Sequence, residues 1–350
     1  MFLALKEIKK EKLRSGLIIA MIALIGYLIF ILTGLALGLA HENTDAINSW
    51  HVQRITLNAT ANTDMRQSTL TSAQIADLTS KEAALNEVSV VAKASGKKQQ
   101  SAVFIGIRKG EFIYQNLKLT SGRRAQAAHE VVADMAFQQG GYKLGSTVKL
   151  GSAKQAYTIV GFTDHAKLNI APVLYGQFAT AQQIRGAVGT VASAVVSKRA
   201  GYTNPASGTK TYDTQQVIEK LPGYSAQNLT FGMMIGFLMV ISLVIIAVFL
   251  YILTMQKLPN YAVLRAQGIP SGVLVRATIG QSLLLVVAGL VIAALFTIGT
   301  AAILPAAVPM AFDLPLLTAV AAGLLVMALL GSLIPVRAVL HVDPVSVIGG

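Results

Sequence analysis

The stretch "MQKLPNYAVLRAQGIPSGVL", residues 255–274, decides how this chain is organised. It combines Lys257 and Arg265 with apolar residues at helical spacing, and Gly268 and Pro270 predict that a short helix at 257–267 ends there. Uncharged segments of more than 25 residues lie on both sides of it, at 229–256 and 277–312. A short basic helix between two long apolar segments is typical of a loop at a membrane surface.

Four segments without charged residues are long enough to cross a membrane, since each exceeds the roughly 20 residues that a helix needs to cross a hydrocarbon core. Of the 350 residues 53% are hydrophobic and only 13% are charged, whereas about a quarter are charged in a soluble domain. The first segment is longer than the apolar region of a signal peptide, so cleavage after Ala40 is not expected. We predict four transmembrane helices, at 16–40, 231–256, 279–303 and 315–336.

The basic residues of the short flanking segments predict the orientation, because Lys and Arg accumulate on the cytoplasmic side. They occur in an amphipathic N-terminal segment (1–15), in the loop 257–278 and in the tail 337–350, whereas the loop 304–314 has none. Both termini and the loop 257–278 are therefore predicted to be cytoplasmic, in the cell membrane. Segment 41–230 is predicted to lie outside.

Segment 41–230 is predicted to be a mixed α/β domain, and its length is sufficient for a core of its own. "HVQRITLNA" (51–59) alternates as a strand does, "KLGSTVKLGSAKQAYTIVGFTD" (143–164) predicts a hairpin, and 71–80 and 213–221 predict short helices. The segment contains 20 Lys and Arg against 12 Asp and Glu, a net charge of +8. Outside the cell such a surface suits an anionic polymer, lipid headgroup or acidic ligand, or is simply solvated, and nucleic acid is not an expected partner.

The chain lacks the motifs of an energy-consuming enzyme. It has no G-x-x-x-x-G-K-[ST] loop, no HExxH or GxSxG motif, and no cysteine, and the predicted spans have no Asp, Glu, Lys, Arg or His in their middle. Its five histidines are scattered along the sequence, at positions 41, 51, 129, 165 and 341. We therefore expect neither catalysis nor an intrinsic cofactor, and any work must be driven by another protein.

Three stretches carry a family resemblance. "QKLPNYAVLRAQGIPSGVL" (256–274) resembles the coupling-helix segment of the MacB/FtsX-type ABC transporter permeases, "IPVRAVLHVDPVSVIGG" (334–350) resembles their closing signature, and the hairpin at 143–162 is similar to their extracytoplasmic core. Within the family, residues 1–40 and "FLYILTMQKLPNYAVLRAQGI" (249–269) are most similar to the haem-efflux permeases. The resemblance covers the whole chain and agrees with the order of one span, an outer domain and three spans.

The resemblance implies a homodimer in the membrane, in which each copy binds a separate ATPase that holds the ATP and Mg²⁺. A stroke of the ATPases would be transmitted mechanically to expel haem, the substrate. The implied ATPase contacts are Leu258, Tyr261, Leu264 and Arg265. Two other functions remain open: export of an antimicrobial peptide or lipid by the same fold, and activation of cell-wall hydrolases as in FtsX-like proteins.

Candidate haem contacts follow from the iron chemistry, because haem iron takes His, Met or Tyr as axial ligands when Cys is absent. Near the outer ends of the first two spans these candidates are His41, Met233 and Met234, with Glu42 as an oxygen ligand or partner of the imidazole and Tyr224 and Phe231 as stacking rings. Beyond haem iron no metal site is expected. The pairs Gly34–Gly38 and Gly232–Gly236 are G-x-x-x-G motifs, which predict helix packing, in the dimer or otherwise, or a flat apolar slot.

Overall fold

The structure is a computed structural model that describes residues 11–75, 77–151, 155–186, 191–305 and 308–341. Within these residues four helices are long and apolar enough to cross a membrane, and a mixed sheet lies between the first and the second. The predicted fold class is therefore confirmed. The chain divides into a helical unit, Met1–Gly38 with Asn228–Gly350, and a sheet unit, Leu39–Gln227.

The first helix, α1 (Lys12–Ser49), continues past the predicted end at residue 40. The polar residues that follow are compatible with a helix because Asn43 and Thr44 donate side-chain hydrogen bonds to the carbonyls of Leu39 and Ala40. Ile47, in the last turns, is fully buried in the core of the sheet unit. The end of α1 is thus held by packing that the local hydropathy does not reveal.

The second long helix, α6 (Tyr224–Ala266), contains both the predicted second span and the predicted coupling helix, so the prediction of a separate helix at 257–267 is wrong. Pro259 lies inside it and removes one backbone hydrogen bond. The helix continues because Tyr261 and Ala262, just beyond the proline, are buried. It ends at Ala266, and Gly268, two residues later, has a φ of +89°, in the left-handed region that terminates helices.

The third and fourth spans complete the helical unit. They are α7 (Ser271–Ile303) and α8 (Leu314–Gly331), and a short helix α9 (Leu333–Leu340) follows α8 after Ser332. The Asp313 carboxylate caps α8 by accepting a hydrogen bond from the Leu316 amide. Buried side chains of α1, α6, α7 and α8 form one apolar core, which includes Ile29, Leu250 and Leu285.

The sheet unit has one mixed sheet of eleven strands among its described residues, in the order β11-β1-β10-β2-β3-β9-β5-β7-β4, with β6 paired to β2 and β7 and β8 paired to β9. The strands are β1 (Arg54–Asn58), β2 (Glu82–Lys93), β3 (Gln100–Ile107), β4 (Leu119–Gly122), β5 (Glu130–Asp134), β6 (Thr147–Leu150), β7 (Ala156–Thr163), β8 (Lys167–Leu168), β9 (Ala171–Gln177), β10 (Ala194–Ser197) and β11 (Thr209–Asp213). The β3–β9 and β5–β7 pairs are parallel and the remaining pairs antiparallel.

Both faces of this sheet are buried along its central strands. In β3, Val103 and Ile105 belong to one apolar cluster and Ala102 and Phe104 to another, as the two-residue period of a strand requires. The helices that cover the sheet are short: α2 (Phe112–Asn116), α3 (Met135–Gln139), α4 (Phe178–Arg185) and α5 (Thr214–Glu219).

The local predictions for the sheet unit have mixed outcomes. The hairpin at 143–164 forms as β6 and β7, with Val148 opposite Tyr157. The helix predicted at 213–221 forms as α5, with a capping box between Asp213 and Gln216. The helix predicted at 71–80 is wrong, since among the described residues 71–75 and 77–80 a 3₁₀ turn at Ala73–Ile75 is the only helical structure and Ile75 the only buried residue. Residues 1–10 and 342–350, which contain much of the predicted N-terminal segment and tail, lie outside the described residues.

Candidate functional site

The segment between α6 and α7, Lys257–Arg276, which we call the α6–α7 turn, is packed on the inside and open on the outside. Tyr261 is only 3% exposed and forms a small apolar cluster with Leu274 and Val339. Two of the other predicted ATPase contacts, Leu258 and Leu264, pack against the same cluster. Tyr261 was predicted to contact another protein, but it supports the turn from within.

The outer side of the α6–α7 turn presents different residues. Val263 is 46% exposed, Gln267 is exposed and Arg265 is half-buried. Underneath, Lys257 Nζ donates a hydrogen bond of 2.9 Å to Gln281 Oε1, and both residues are buried. Arg14 of α1 donates to Gln256 Oε1. These bonds connect α1, α6 and α7 at the end of the helical unit that carries the turn.

Three predicted haem contacts, Phe231, Met233 and Met234, lie together on the first turns of the α6 part of the helical unit. Met233 is 52% and Met234 is 42% exposed, and Phe231 is half-buried. A Cβ added at Gly232 or Gly236 would meet no atom within 4 Å. This end of α6 therefore presents an apolar surface with small residues that nothing in the described chain covers.

The pair Gly34–Gly38 in α1 has a different environment. A Cβ at Gly38 would lie 2.2 Å from the Pro309 carbonyl oxygen, and one at Gly34 would lie 2.8 Å from the Phe312 ring. The Ala311 amide also donates a 3.0 Å hydrogen bond to the Gly34 carbonyl. The close neighbour of these glycines is thus a non-helical segment before α8, rather than a second helix.

The remaining predicted haem contacts, His41, Glu42 and Tyr224, belong to the sheet unit. Tyr224 is half-buried against its core, and the Glu42 carboxylate forms an ion pair with Lys167. The backbone amides of Asn169 and Ile170 donate to the carbonyls of Asn43 and Glu42, at 3.1 and 3.0 Å. Glu42 therefore helps to fasten the end of α1 to the β8–β9 hairpin, and it is not turned toward the His41 imidazole as a partner.

His41 lies at a cavity of about 700 Å³ inside the sheet unit. The carboxylate next to it is that of Asp45, one helical turn later, with 3.8 Å between His41 Nδ1 and Asp45 Oδ1. Asp45 Oδ2 lies 3.3 Å from Nδ1 of His165, which also lines the cavity. Sequence reasoning missed both residues: the i, i+4 spacing indicates Asp45, but no local signal connects residue 165 with residue 41.

The wall of this cavity is partly aromatic. Trp50 and Tyr175 line it, and the indole Nε1 donates a 3.1 Å hydrogen bond to the Tyr175 hydroxyl. Burial raises the pKa of Tyr175 to about 12, so its hydroxyl stays neutral. The hydrogen bond fixes both rings, and the wall is therefore rigid.

A second cavity of about 510 Å³ lies in the helical unit and is almost wholly apolar. Phe30 of α1, Leu290 and Ala294 of α7, and Leu317 and Ala321 of α8 line it. A site of this character binds hydrocarbon and offers almost nothing to a charged group.

Comparison with known protein families gives a match in the C-terminal part of the chain. Residues 232–344 match the family described as FtsX-like permease C-terminal. The C-terminal part of this chain is therefore similar to FtsX-like permease domains. This confirms the resemblance in the part of the chain that holds the α6–α7 turn.

This chain is also similar over its full length to proteins described as "Putative hemin transport system permease protein HrtB". The proteins from Staphylococcus haemolyticus and Staphylococcus epidermidis are each 24% identical to it over 355 residues, covering 100% of this chain and 99% of theirs. These relatives are described as permeases, and the similarity supports an ABC-type permease.

Solved structures similar to this chain include the periplasmic region of MacB from Actinobacillus actinomycetemcomitans, at 16% identity and a TM-score of 0.37, covering 50% of this chain and 96% of that one. The extracellular domain of the ABC-type transporter YknZ from Gram-positive bacteria matches at 15% identity and a TM-score of 0.32, covering 52% and 94%.

Proposed function

We propose that this chain is the permease subunit of an ABC-type efflux pump that expels haem from the membrane. The observation that carries the proposal is the end-to-end similarity to the HrtB hemin transport permeases, which includes both the spans and the sheet unit. The pump is driven by a separate, HrtA-like ATPase, which holds the ATP and Mg²⁺. The permease is embedded in the cell membrane and its lipid.

In this proposal both termini and the α6–α7 turn are cytoplasmic and the sheet unit lies outside, as the distribution of basic residues indicates. The ATPase docks on the α6–α7 turn, where Arg265 and the exposed Val263 supply contact and Leu258, Tyr261 and Leu264 keep the turn rigid. The hydrogen bonds of Gln256 and Lys257 pass the displacement to α1 and α7.

The two longest helices suit mechanical transmission. α1 has 38 and α6 has 43 residues, or about 57 and 65 Å of helix, against about 30 Å of hydrocarbon core. Because both are unbroken, movement at one end is carried to the other. The ion pair of Glu42 and the backbone hydrogen bonds of Asn43 fasten α1 to the β8–β9 hairpin of the sheet unit.

A homodimer would explain why the apolar surface at the start of α6, around Gly232 and Gly236, is uncovered in the described part of the single chain. Gly232 and Gly236 have free space around them and the adjacent apolar side chains are exposed, so a second copy can approach closely there. Haem is proposed to enter between the two copies, where Met233 and Met234 supply thioether ligands and Phe231 a ring.

Reconstitution tests this function. Full-length permease and its ATPase in nanodiscs should hydrolyse ATP faster when haem is added, and a Met233→Ala/Met234→Ala variant should need more haem for half-maximal stimulation. The matched control is Met255→Ala on the same helix, which is exposed but far from Met233 in sequence. An ATPase rate that does not respond to haem would exclude the proposal.

The apolar cavity between α1, α7 and α8 favours lipid as the alternative cargo, because its lining suits an acyl chain. The same nanodisc ATPase assay distinguishes haem from lipid as the cargo. If lipid is the cargo, stimulation follows lipid composition and is reduced by Ala294→Trp, which fills the cavity, and haem has no effect.

A further inference from the structure

The cavity of the sheet unit brings together three of the five histidines, although they are separated in sequence. His41, His51 and His165 all line it: His41 lies on α1, His51 lies in the turn just after α1, and His165 lies in the turn between β7 and β8. His41 is 46% and His165 is 70% exposed at the side chain, so both imidazoles are accessible from the cavity. The fold thus concentrates potential axial ligands at one place.

Two of these histidines have a backbone conformation that side chains rarely adopt. His51 has φ of +52° and His165 of +51°, in the left-handed region, which costs a non-glycine residue on the order of 1 kcal/mol. Glycine would relieve this cost, yet both positions carry imidazoles directed to one cavity. Unfavourable backbone geometry of this kind concentrates at functional sites.

Asp45 orients one of the imidazoles and lies near a second. Its Oδ2 atom is 3.3 Å from His165 Nδ1, within hydrogen-bond distance, whereas its Oδ1 atom is 3.8 Å from His41 Nδ1, beyond that distance. A carboxylate at one ring nitrogen favours the tautomer in which the other nitrogen is a ligand, the arrangement that supports iron- and zinc-bound histidine. Asp164 Oδ2 is 3.7 Å from His165 Nε2, beyond hydrogen-bond distance.

The other residues that line the cavity indicate which kind of ligand it suits. Trp50, Leu117 and Tyr175 provide an apolar and aromatic wall, and the exposed Lys118 provides a cation at its edge. Among the described residues no group of three or more His, Asp or Glu side chains is placed to hold a bare metal ion. A metalloporphyrin needs only one axial ligand from the protein, because the porphyrin occupies the equatorial positions of the iron.

We propose that this cavity is a haem-binding site of the sheet unit, distinct from the contacts on α6, in which His165 or His41 ligates the iron, the aromatic wall packs on the porphyrin and Lys118 pairs with a propionate. The inference rests on the proposed function, because haem as cargo comes from there. Such a site would receive haem after it leaves the membrane.

Haem titration of the full-length protein in nanodiscs tests the site. In a Met233→Ala/Met234→Ala background, which removes the proposed contacts on α6, a Soret band should still develop. Adding His41→Ala and His165→Ala together should weaken that binding at least tenfold and shift the band. His129→Ala is the matched control, because His129 is an exposed histidine of the same unit outside the cavity.

Two further probes make the outcome specific. Iron-free protoporphyrin should bind weakly and be insensitive to the histidine substitutions, since it lacks the axial bond. Zn²⁺ alone should not bind, and histidine-dependent binding of Zn²⁺ would overturn the proposal in favour of a bare-metal site. His165→Gln, which keeps a polar side chain at an exposed position, repeats the test if the double variant folds poorly.

Failure of this inference is distinguishable from failure of the proposed function. If the histidine variants bind haem as the unsubstituted protein does while haem still stimulates the ATPase, the cavity site is excluded and the pump remains. If haem has no effect on the ATPase, the proposed function fails instead.

Discussion

Glu87 in β2 is a buried carboxyl group whose replacement should stabilise the sheet unit at neutral and alkaline pH. The residue is 3% exposed, and its Oε1 atom has no hydrogen-bond partner among the described residues. Burial, helped by the nearby Asp64, raises its pKa from 4.5 to about 7, while Arg66 and Arg185 act in the opposite direction. The fold therefore favours the protonated acid.

The pH dependence follows from this raised pKa. Below pH 4.5 the carboxyl is protonated in both folded and unfolded chains, and burial costs no ionisation energy. As pH rises toward about 7 the unfolded chain ionises while the folded chain does not, so stability falls and then levels off. The difference between 4.5 and about 7 corresponds to about 3 kcal/mol.

Glu87→Gln substitutes a neutral side chain of nearly the same shape. The variant should be more stable than the unsubstituted protein by about 3 kcal/mol at pH 8 and about equal at pH 4. The arginines keep other partners, since Arg66 pairs with Asp64 and Arg185 donates to Ser193 and to the Ser68 carbonyl. Losing the carboxylate therefore leaves neither cation buried without a bond.

Guanidinium denaturation followed by tryptophan fluorescence measures this directly. The chain has one tryptophan, Trp50, which is 3% exposed in the core of the sheet unit, so its emission reports on that unit. Glu219→Gln makes the same chemical change at an exposed position and should leave stability unchanged at both pH values. A Glu87→Gln variant that is no more stable at pH 8, or whose effect is the same at pH 4, would refute the reasoning.

Two further pairs of substitutions probe the helical unit, with thermal unfolding in detergent as the measure of stability. Gly38→Ala should destabilise it by about 1–3 kcal/mol, because the new Cβ would collide with the Pro309 carbonyl, whereas Gly232→Ala, with open space around it, should be neutral in the isolated chain. Equal effects at the two glycines would contradict the packing described for α1. Tyr261→Ala should cost about 3–5 kcal/mol by opening the apolar cluster of the α6–α7 turn, and Val263→Ala should retain stability but weaken co-purification with the ATPase. If Tyr261→Ala retained full stability, that residue would have to act as a surface contact after all.

Sequence reasoning succeeded where the decisive interaction is with the solvent. Helices such as α7 were predictable because a long segment without charge is stable only where water is excluded, and the hairpin of β6 and β7 because alternation and a turn are local. It failed at 71–80, where, apart from the undescribed residue 76, the helix-like spacing buries Ile75 alone and a short 3₁₀ turn forms. It failed again at Pro259, where tertiary packing carries α6 past a residue that interrupts isolated helices.

The sequence by itself determined that the chain has four segments long and apolar enough to cross a membrane, with one α/β domain inserted between the first two, because hydropathy and charge are properties of each segment alone. Only the tertiary structure decided that Tyr261 faces inward, that Glu42 pairs with Lys167, and that His41 and His165 share Asp45. Those contacts join residues more than 100 positions apart or select one face of a helix. Their formation depends on which surfaces the packed units bring together, and no local pattern encodes that.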